Sequence, residues 1–393
     1  MALDLSNMWA ERPAGMRDVF PQQARLRRNV ENELLDLFQQ TGFDMVSCGA
    51  FEYVETLTRG RPVRDIETLV QWFDAAGRTV ALRPDMTPSI ARMAAPLVAN
   101  GQGSVQWSYA ERVYHRTSDP ASLSWASGRA AESTQVGVEW IGARGPEADA
   151  HLLRICQRGM EAIGLREWQM VVSHARIAPA LLETFDVEQS AIEGLLADLT
   201  RGDYVSFQET LRRLGTTRDV LKQFALCDPL KPQTLLALLD PADHRPCAQE
   251  VRRAWQELRD LATVLRAMGL AEQVSFDLTL HRDLSYYTGL VFEVFSPGVG
   301  APVAQGGRYD DLLESFGAQA PAVGFTFEVE RVLAVLTQGA WLHGHGDGAG
   351  IGAEAGKGDG AGDGHEAGQG DGAGDGHEAG HEAGQGDGEG EPC

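Results

Sequence analysis

The stretch from Arg282 to Arg331, RDLSYYTGLVFEVFSPGVGAPVAQGGRYDDLLESFGAQAPAVGFTFEVER, constrains the fold more than any other part of the chain. Leu290 to Phe295 is a β-branched and aromatic run, a strand signal, and Ser296-Pro297-Gly298 turns it. Gly306-Gly307 allows a tight, closely approached backbone just ahead of Arg308, Tyr309 and Asp310. A helix is expected next, then a strand over Ala322 to Phe327. That strand feeds a second helix with apolar positions at Val329, Val332, Leu333 and Leu336. The pattern describes an antiparallel floor with polar groups gathered on one face. It also fits an ordinary packed α+β core with satisfied Arg and Tyr side chains, so the rest of the chain must decide.

Composition matters mainly at the C-terminal end. The 393 residues include 45 glycines, concentrated after Gly344 in a repeat of Gly, Ala, Asp, Glu, His and Gln. This tail holds 12 acidic residues and one lysine, half of the formal −22. Such a segment cannot bury an apolar core and is expected to be disordered. Its His365, His377 and His381 can be read as metal ligands, but sparse His among glycines makes a solvated tail the better reading. The remaining acidic body shows no basic stripe, which excludes the usual electrostatic footprint for nucleic acid.

Five scattered cysteines (Cys48, Cys156, Cys227, Cys247, Cys393) include no CxxC pair. That argues against a disulfide framework and against a zinc site. The opening MALDLSNMWAERP lacks the apolar core of a signal peptide. No run approaches the roughly 18 apolar residues of a membrane span. A cytoplasmic protein is expected.

Along the chain, Leu26, Val30, Leu34, Leu37 and Phe38 share one helical face, and Gly42 stands at the helix end. Phe43 to Val46 is a short strand candidate. Val70 to Phe73 and Thr79 to Leu82 read as a hairpin, closed by Arg83-Pro84-Asp85. Thr87 is expected as N-cap and Pro88 as first residue of a helix burying Ile90, Met93, Ala94 and Leu97. Asp85 thus precedes a helix N-terminus, where a carboxylate is favoured in any case. Ser104 to Tyr114 reads as a strand, Thr117 to Gly128 as a loop, and Ser133 to Ile141 as another strand. In the latter, Gln135, Gly137 and Glu139 alternate with Val136, Val138 and Trp140, which sets an amide and a carboxylate on one face. Glu147 to Ile163 is an amphipathic helix ending at Gly164. A strand from Gln169 ends at His174, for which a structural role is the commoner one. The expected organisation is a core over 1–180 and 271–340, a helical insertion over 181–270 re-entering the sheet at Val274 to Leu280, and the tail over 341–393.

These blocks together resemble the class II histidyl-tRNA synthetase family, from about Pro13 to Leu336. The resemblance rests on LRPDMTPSIAR at 82 to 92, QVGVEWIG at 135 to 142, RDLSYYTGLVFE at 282 to 293, and GGRYDDL with PAVGF at 306 to 325. The LRPDMTP form is similar to the non-synthetase branch, the ATP phosphoribosyltransferase regulatory subunits; synthetases have Glu and Gly at the positions of Asp85 and Met86. The resemblance implies an α+β fold, an antiparallel six- or seven-stranded sheet with flanking helices and a helical insertion. It implies self-dimerisation through the region up to Glu52, where Gly49 replaces the customary proline.

For the site, the resemblance implies that free histidine is bound by Asp85, Thr87, Gln135, Glu139, Arg282, Tyr286, Tyr287 and Tyr309. A guanidinium suits the carboxylate, acceptors the ammonium, and polar partners the imidazole. Asp85 is one methylene shorter than the family's Glu, and Ser285 stands where the family has an acid. The resemblance also implies that ATP chemistry is lost. Motif 2 reads Tyr114-His115-Arg116-Thr117 where a synthetase has Phe-Arg-x-Glu. Motif 3 keeps Arg331, but Glu328 replaces a glycine that lies against the nucleotide. No compact anticodon-binding domain is expected after Leu336. The leading expectation is a non-catalytic subunit with no cofactor, metal, tRNA or membrane. Its expected partners are L-histidine and a short-form ATP phosphoribosyltransferase catalytic subunit, in a hetero-octamer. A degenerate ligase using Arg116 and Arg331, or a free-standing dimeric amino-acid sensor, are the alternatives.

Overall fold

The computed structural model describes residues 13, 15–59, 69–116, 131–216, 220–225, 227–231, 235–282 and 286–343. The expected Thr117 to Gly128 loop, Ser285 and the tail after Gly344 lie outside the described residues.

The chain opens with α1 (Pro21–Gln40), whose Val30, Leu34, Leu37 and Phe38 are buried along the predicted face. The helix is closed at Thr41 and Gly42; Gly42 takes φ +94°, a conformation that glycine adopts without a Cβ penalty. The short β1 (Asp44–Met45) follows, then β2 (Phe51–Tyr53) and α2 (Val54–Leu57). The predicted hairpin forms as β3 (Gln71–Phe73) and β4 (Thr79–Leu82). Helix α3 runs Thr87–Ala99, starting one residue earlier than the sequence signal. Thr87 does not cap it, because its hydroxyl donates instead to Glu139 Oε1 at 2.7 Å. Leu97 is exposed rather than buried; Ile90, Ala91, Ala94 and Ala95 form the packed side.

The long strands β5 (Val105–Tyr114) and β6 (Glu132–Ile141) pair along their whole length. After α4 (Gly145–Ala162) and β7 (Gln169–His174) come five helices: α5 (Ile177–Glu183), α6 (Gln189–Arg201), α7 (Tyr204–Arg213), α8 (Val220–Phe224) and α9 (Pro246–Ala267). Strand β8 spans only Val274–Phe276, shorter than expected, because Asp277 accepts from the Thr279 amide and hydroxyl and turns the chain. Strands β9 (Leu290–Phe295) and β11 (Ala322–Glu328) and helix α10 (Val329–His343) stand where the sequence signals put them.

Between them the structure differs from expectation. Gly306-Gly307 lie inside a strand, β10 (Ala304–Arg308), and the expected helix after Asp310 is a 3-10 turn over Leu312–Phe316. Paired glycines carry no strand propensity, so β10 is fixed by its two neighbours rather than by its own sequence.

The main sheet has eight strands in the order β1-β5-β6-β11-β10-β9-β7-β8. Its six central strands are antiparallel, and β1 and β8 add a parallel strand at each edge, which makes it larger than expected. A separate three-stranded sheet has the order β2-β4-β3. One face of the main sheet packs Val136, Val138, Phe325, Phe327 and Phe292 onto α1, α4, α9 and α10. The other face carries a smaller cluster, in which Tyr109, Tyr286 and Tyr309 meet α3 and the 3-10 turn.

Candidate functional site

The polar residues gather on that second face, and strand register decides which ones meet. On β6, Gln135, Gly137 and Glu139 point away from the core containing Val136 and Val138. Pairing across β5, β6, β11, β10 and β9 then lines up three rows. The first joins Glu111, Gln135 and Glu328; the second joins Tyr109, Gly137, Thr326, Gln305 and Glu293. The third joins Trp107, Glu139, Gly324, Gly307 and Val291. Glycines hollow this surface. A Cβ at Gly324 would overlap Glu139 Oε2, and one at Gly307 would lie 2.7 Å from the Tyr287 ring.

All eight residues expected from the sequence line one cavity above these rows. Asp85 and Thr87 enter from the turn before α3 and the start of α3; Arg282, Tyr286 and Tyr287 enter from the segment ahead of β9; Tyr309 follows β10. Sequence reasoning missed Tyr109, Gln305 and Thr326, which also line it. Tyr109 alternates correctly on β5, but nothing local marks it as facing Gly137; Gln305 went unseen because β10 did.

Glu139 is 2 % exposed and accepts from Thr87 Oγ1 and from the Tyr309 hydroxyl. Burial pushes its carboxyl up to about 7, against the opposing effect of those two donors. Burial and the neighbouring Glu139 charge hold the Tyr109 and Tyr309 phenols above their ordinary range, so both remain hydroxyl donors. The Tyr286 ring stands edge-on to Tyr309 at 6.0 Å and lies 4.8 Å from Tyr287. Glu139 with its tyrosines is a wall able to hydrogen-bond a polar heterocycle or amide.

On the far side, Arg282 Nη1 donates to Glu293 Oε1 at 2.7 Å and to Gln305 Oε1 at 2.5 Å. Its Nε makes no hydrogen bond and is enclosed, so the guanidinium retains a donor for an anionic group. Gln135 Nε2 donates to Glu328 Oε1 at 3.0 Å, and Gln305 Nε2 donates to the same oxygen at 3.1 Å. Asp85 keeps both carboxylate oxygens out of bulk solvent.

The candidate phosphate-binding residues lie elsewhere. His115 ends the β5 ladder, its amide donating to the Ala131 carbonyl at 2.9 Å, and Arg116 is exposed. Arg331 Nη1 donates to the Pro302 carbonyl at 2.7 Å, tying α10 to the segment before β10. Neither arginine lines the cavity. His174, whose role was open, is buried with Nε2 2.9 Å from Glu257 Oε2, a structural pairing between β7 and α9. Among the described residues no group of three or more His, Cys, Asp or Glu is placed to hold a metal. Also among them, no helix is long and apolar enough to cross a membrane.

The family model for histidyl-tRNA synthetase matches residues 15–332. The chain is 35% identical to the ATP phosphoribosyltransferase regulatory subunit of Symbiobacterium thermophilum, over 83% of this chain and 80% of that protein. Among solved structures, a histidine–tRNA ligase subunit from Alicyclobacillus acidocaldarius is 46% identical with a TM-score of 0.76, covering 84% of this chain and 98% of that one. An ATP phosphoribosyltransferase regulatory subunit/histidyl-tRNA synthetase from Bacillus halodurans is 28% identical with a TM-score of 0.72, covering 83% of both chains. With the class II sheet, the hollowed polar face and these matches in agreement, the chain belongs to the ATP phosphoribosyltransferase regulatory subunit family, within the histidyl-tRNA synthetase-like fold.

Proposed function

We propose that the chain is a non-catalytic subunit that activates a short-form ATP phosphoribosyltransferase catalytic subunit and carries histidine feedback to it, at the first step of histidine biosynthesis. The complex works in the cytoplasm as a hetero-oligomer built on a dimer of this chain. The observation that supports this reading is the makeup of the cavity. It brings together Asp85, Thr87, Gln135, Glu139, Arg282, Tyr286, Tyr287 and Tyr309, while Arg116 and Arg331 stand outside it. These groups answer the three parts of histidine: Arg282 the carboxylate, Asp85 and Gln135 the ammonium, and Glu139 with Tyr309 the imidazole.

The alternative, an amino-acid-activating ligase, is favoured by one observation, the name of the 46% identical solved relative. Against it, Glu328 brings a carboxylate to the floor where a nucleotide would lie, and like charges repel.

A histidine titration of phosphoribosyl transfer tests the proposal, using complexes with the wild-type chain, Arg282→Ala or Glu139→Gln. Arg282→Ala removes a charge-assisted contact and raises the inhibition midpoint about 30-fold or more. Activation of the partner survives, since docking does not require an occupied pocket. Binding and inhibition weaken together, as linkage demands. Wild-type midpoints in both variants would place histidine sensing elsewhere.

A further inference from the structure

Glu328 stands at the centre of a hydrogen-bond chain that nothing in the histidine reading requires. It is 5 % exposed, sits opposite Gln135 in the β6–β11 register, and accepts two amides on one oxygen. A carboxylate accepts hydrogen bonds and an amide has two chemically distinct ends. Both glutamines must therefore turn their NH2 groups toward Glu328 and their carbonyls away from it. For Gln305 the consequence is visible: its carbonyl meets Arg282 Nη1, a group that can only donate. For Gln135, which lines the cavity, the carbonyl is the end of the amide that Glu328 does not engage.

We infer that Glu328 is a positioning residue that fixes Gln135 with its carbonyl toward the cavity, as the acceptor for the ammonium of an α-amino acid. The inference rests on the amino-acid reading of the pocket and adds to it a specific recognition element. Asp85 is short for this task, and a carboxylate at 328 recruits a neutral acceptor to share it. The same carboxylate holds the Gln305 carbonyl on Arg282, so the anion-binding and cation-binding ends of the pocket are aligned by one side chain. Without it, the Gln135 amide is free to rotate and present NH2 groups to an ammonium, which repels them.

The test is calorimetric binding to the full chain with two probes, L-histidine and 3-(imidazol-4-yl)propionate, which lacks only the amino group. The variants are Glu328→Gln, Gln135→Leu and the double variant. Losing one oriented acceptor weakens histidine about tenfold in Glu328→Gln, while the des-amino probe changes less than about threefold. If Glu328 acts through Gln135, the double variant binds histidine no more weakly than Gln135→Leu alone. Equal weakening of both probes would reduce Glu328 to a general structural role and overturn the inference, as would an unchanged histidine affinity. A full Glu328→Gln penalty in the Gln135→Leu background would show direct action and also overturn it. Should Glu328→Gln not fold, the two probes on Gln135→Leu decide: an equal loss for both overturns the inference, a loss for histidine alone supports it. A wild-type chain that binds the des-amino probe as tightly as histidine overturns the inference and leaves the pocket reading standing. A wild type that binds neither probe overturns both.

Discussion

Glu139 is held in two ways that oppose each other: a dry wall that disfavours its charge, and two hydroxyl donors that favour it. Because its folded pKa is raised to about 7 from the ordinary 4.5, between those two pH values the folded state holds a proton that the unfolded state has released. Its contribution is therefore fully present below about pH 4.5 and is lost as pH rises through about 7. Relative to Glu139→Gln, the wild type should lose on the order of 2–3 kcal/mol between pH 5 and pH 8. Urea midpoints of both proteins at the two pH values check this, and a pH-independent difference would show that Glu139 stays charged. The side chain was legible in sequence because β6 alternates cleanly and QVGVEWIG belongs to a recognisable block. Tyr109, Gln305 and Thr326 were not. Their place in the site depends on which residues lie opposite in strands far apart in the chain, and no local pattern encodes that.

At the scale of elements, β10 ends in a clamp. Arg308 Nε and Nη2 donate to Asp149 on α4 (3.0 Å and 2.5 Å to Oδ1), and Nη1 reaches the Ala143 carbonyl at 2.9 Å and Asp310 Oδ1 at 3.0 Å. The Asp310 carboxylate in turn accepts the Ala322 amide that begins β11. One cation thus joins a helix, a strand end and the next strand start, and it holds the turn from which Tyr309 reaches Glu139. Removing it leaves a buried carboxylate without its partner. Arg308→Met should cost about 3–5 kcal/mol, and pairing it with Asp149→Leu should recover at least half of that loss. Chemical denaturation of the two variants measures it; a double variant as unstable as the single one would mean the lost carbonyl contact dominates. Most elements were readable from periodicity and turn residues: α1, the hairpin, β5, β6, β9, β11 and α10. Strand β10 was hidden because Gly-Gly reads as a loop, whereas here the glycines make room for Tyr287 and Phe325. The parallel edge strands were hidden because β1 and β8 are 2 and 3 residues long, too short for a period.

For the whole molecule, the placement of Glu328, Arg116 and Arg331 predicts the absence of adenylate chemistry. Mixed with ATP, histidine and labelled pyrophosphate, the chain should give no histidine-dependent exchange, since neither Arg116 nor Arg331 lines the cavity to clamp an α-phosphate beside the bound amino acid. Exchange that Arg331→Ala abolishes would restore the ligase reading. Charge and composition bounded this scale from sequence, and the motifs gave the family; the assembly surface was not legible, because exposed residues carry no periodic constraint. The row that runs through Tyr109, Gly137, Thr326, Gln305 and Glu293 crosses five strands of the sheet. Any opening that frees one of them dismantles the floor of the pocket. A bound metabolite at about 100 times its dissociation constant would then slow amide exchange about 100-fold across all five together. With the proposed ligand bound, the pocket would double as a latch on the sheet, and the ligand concentration would set how often the sheet opens.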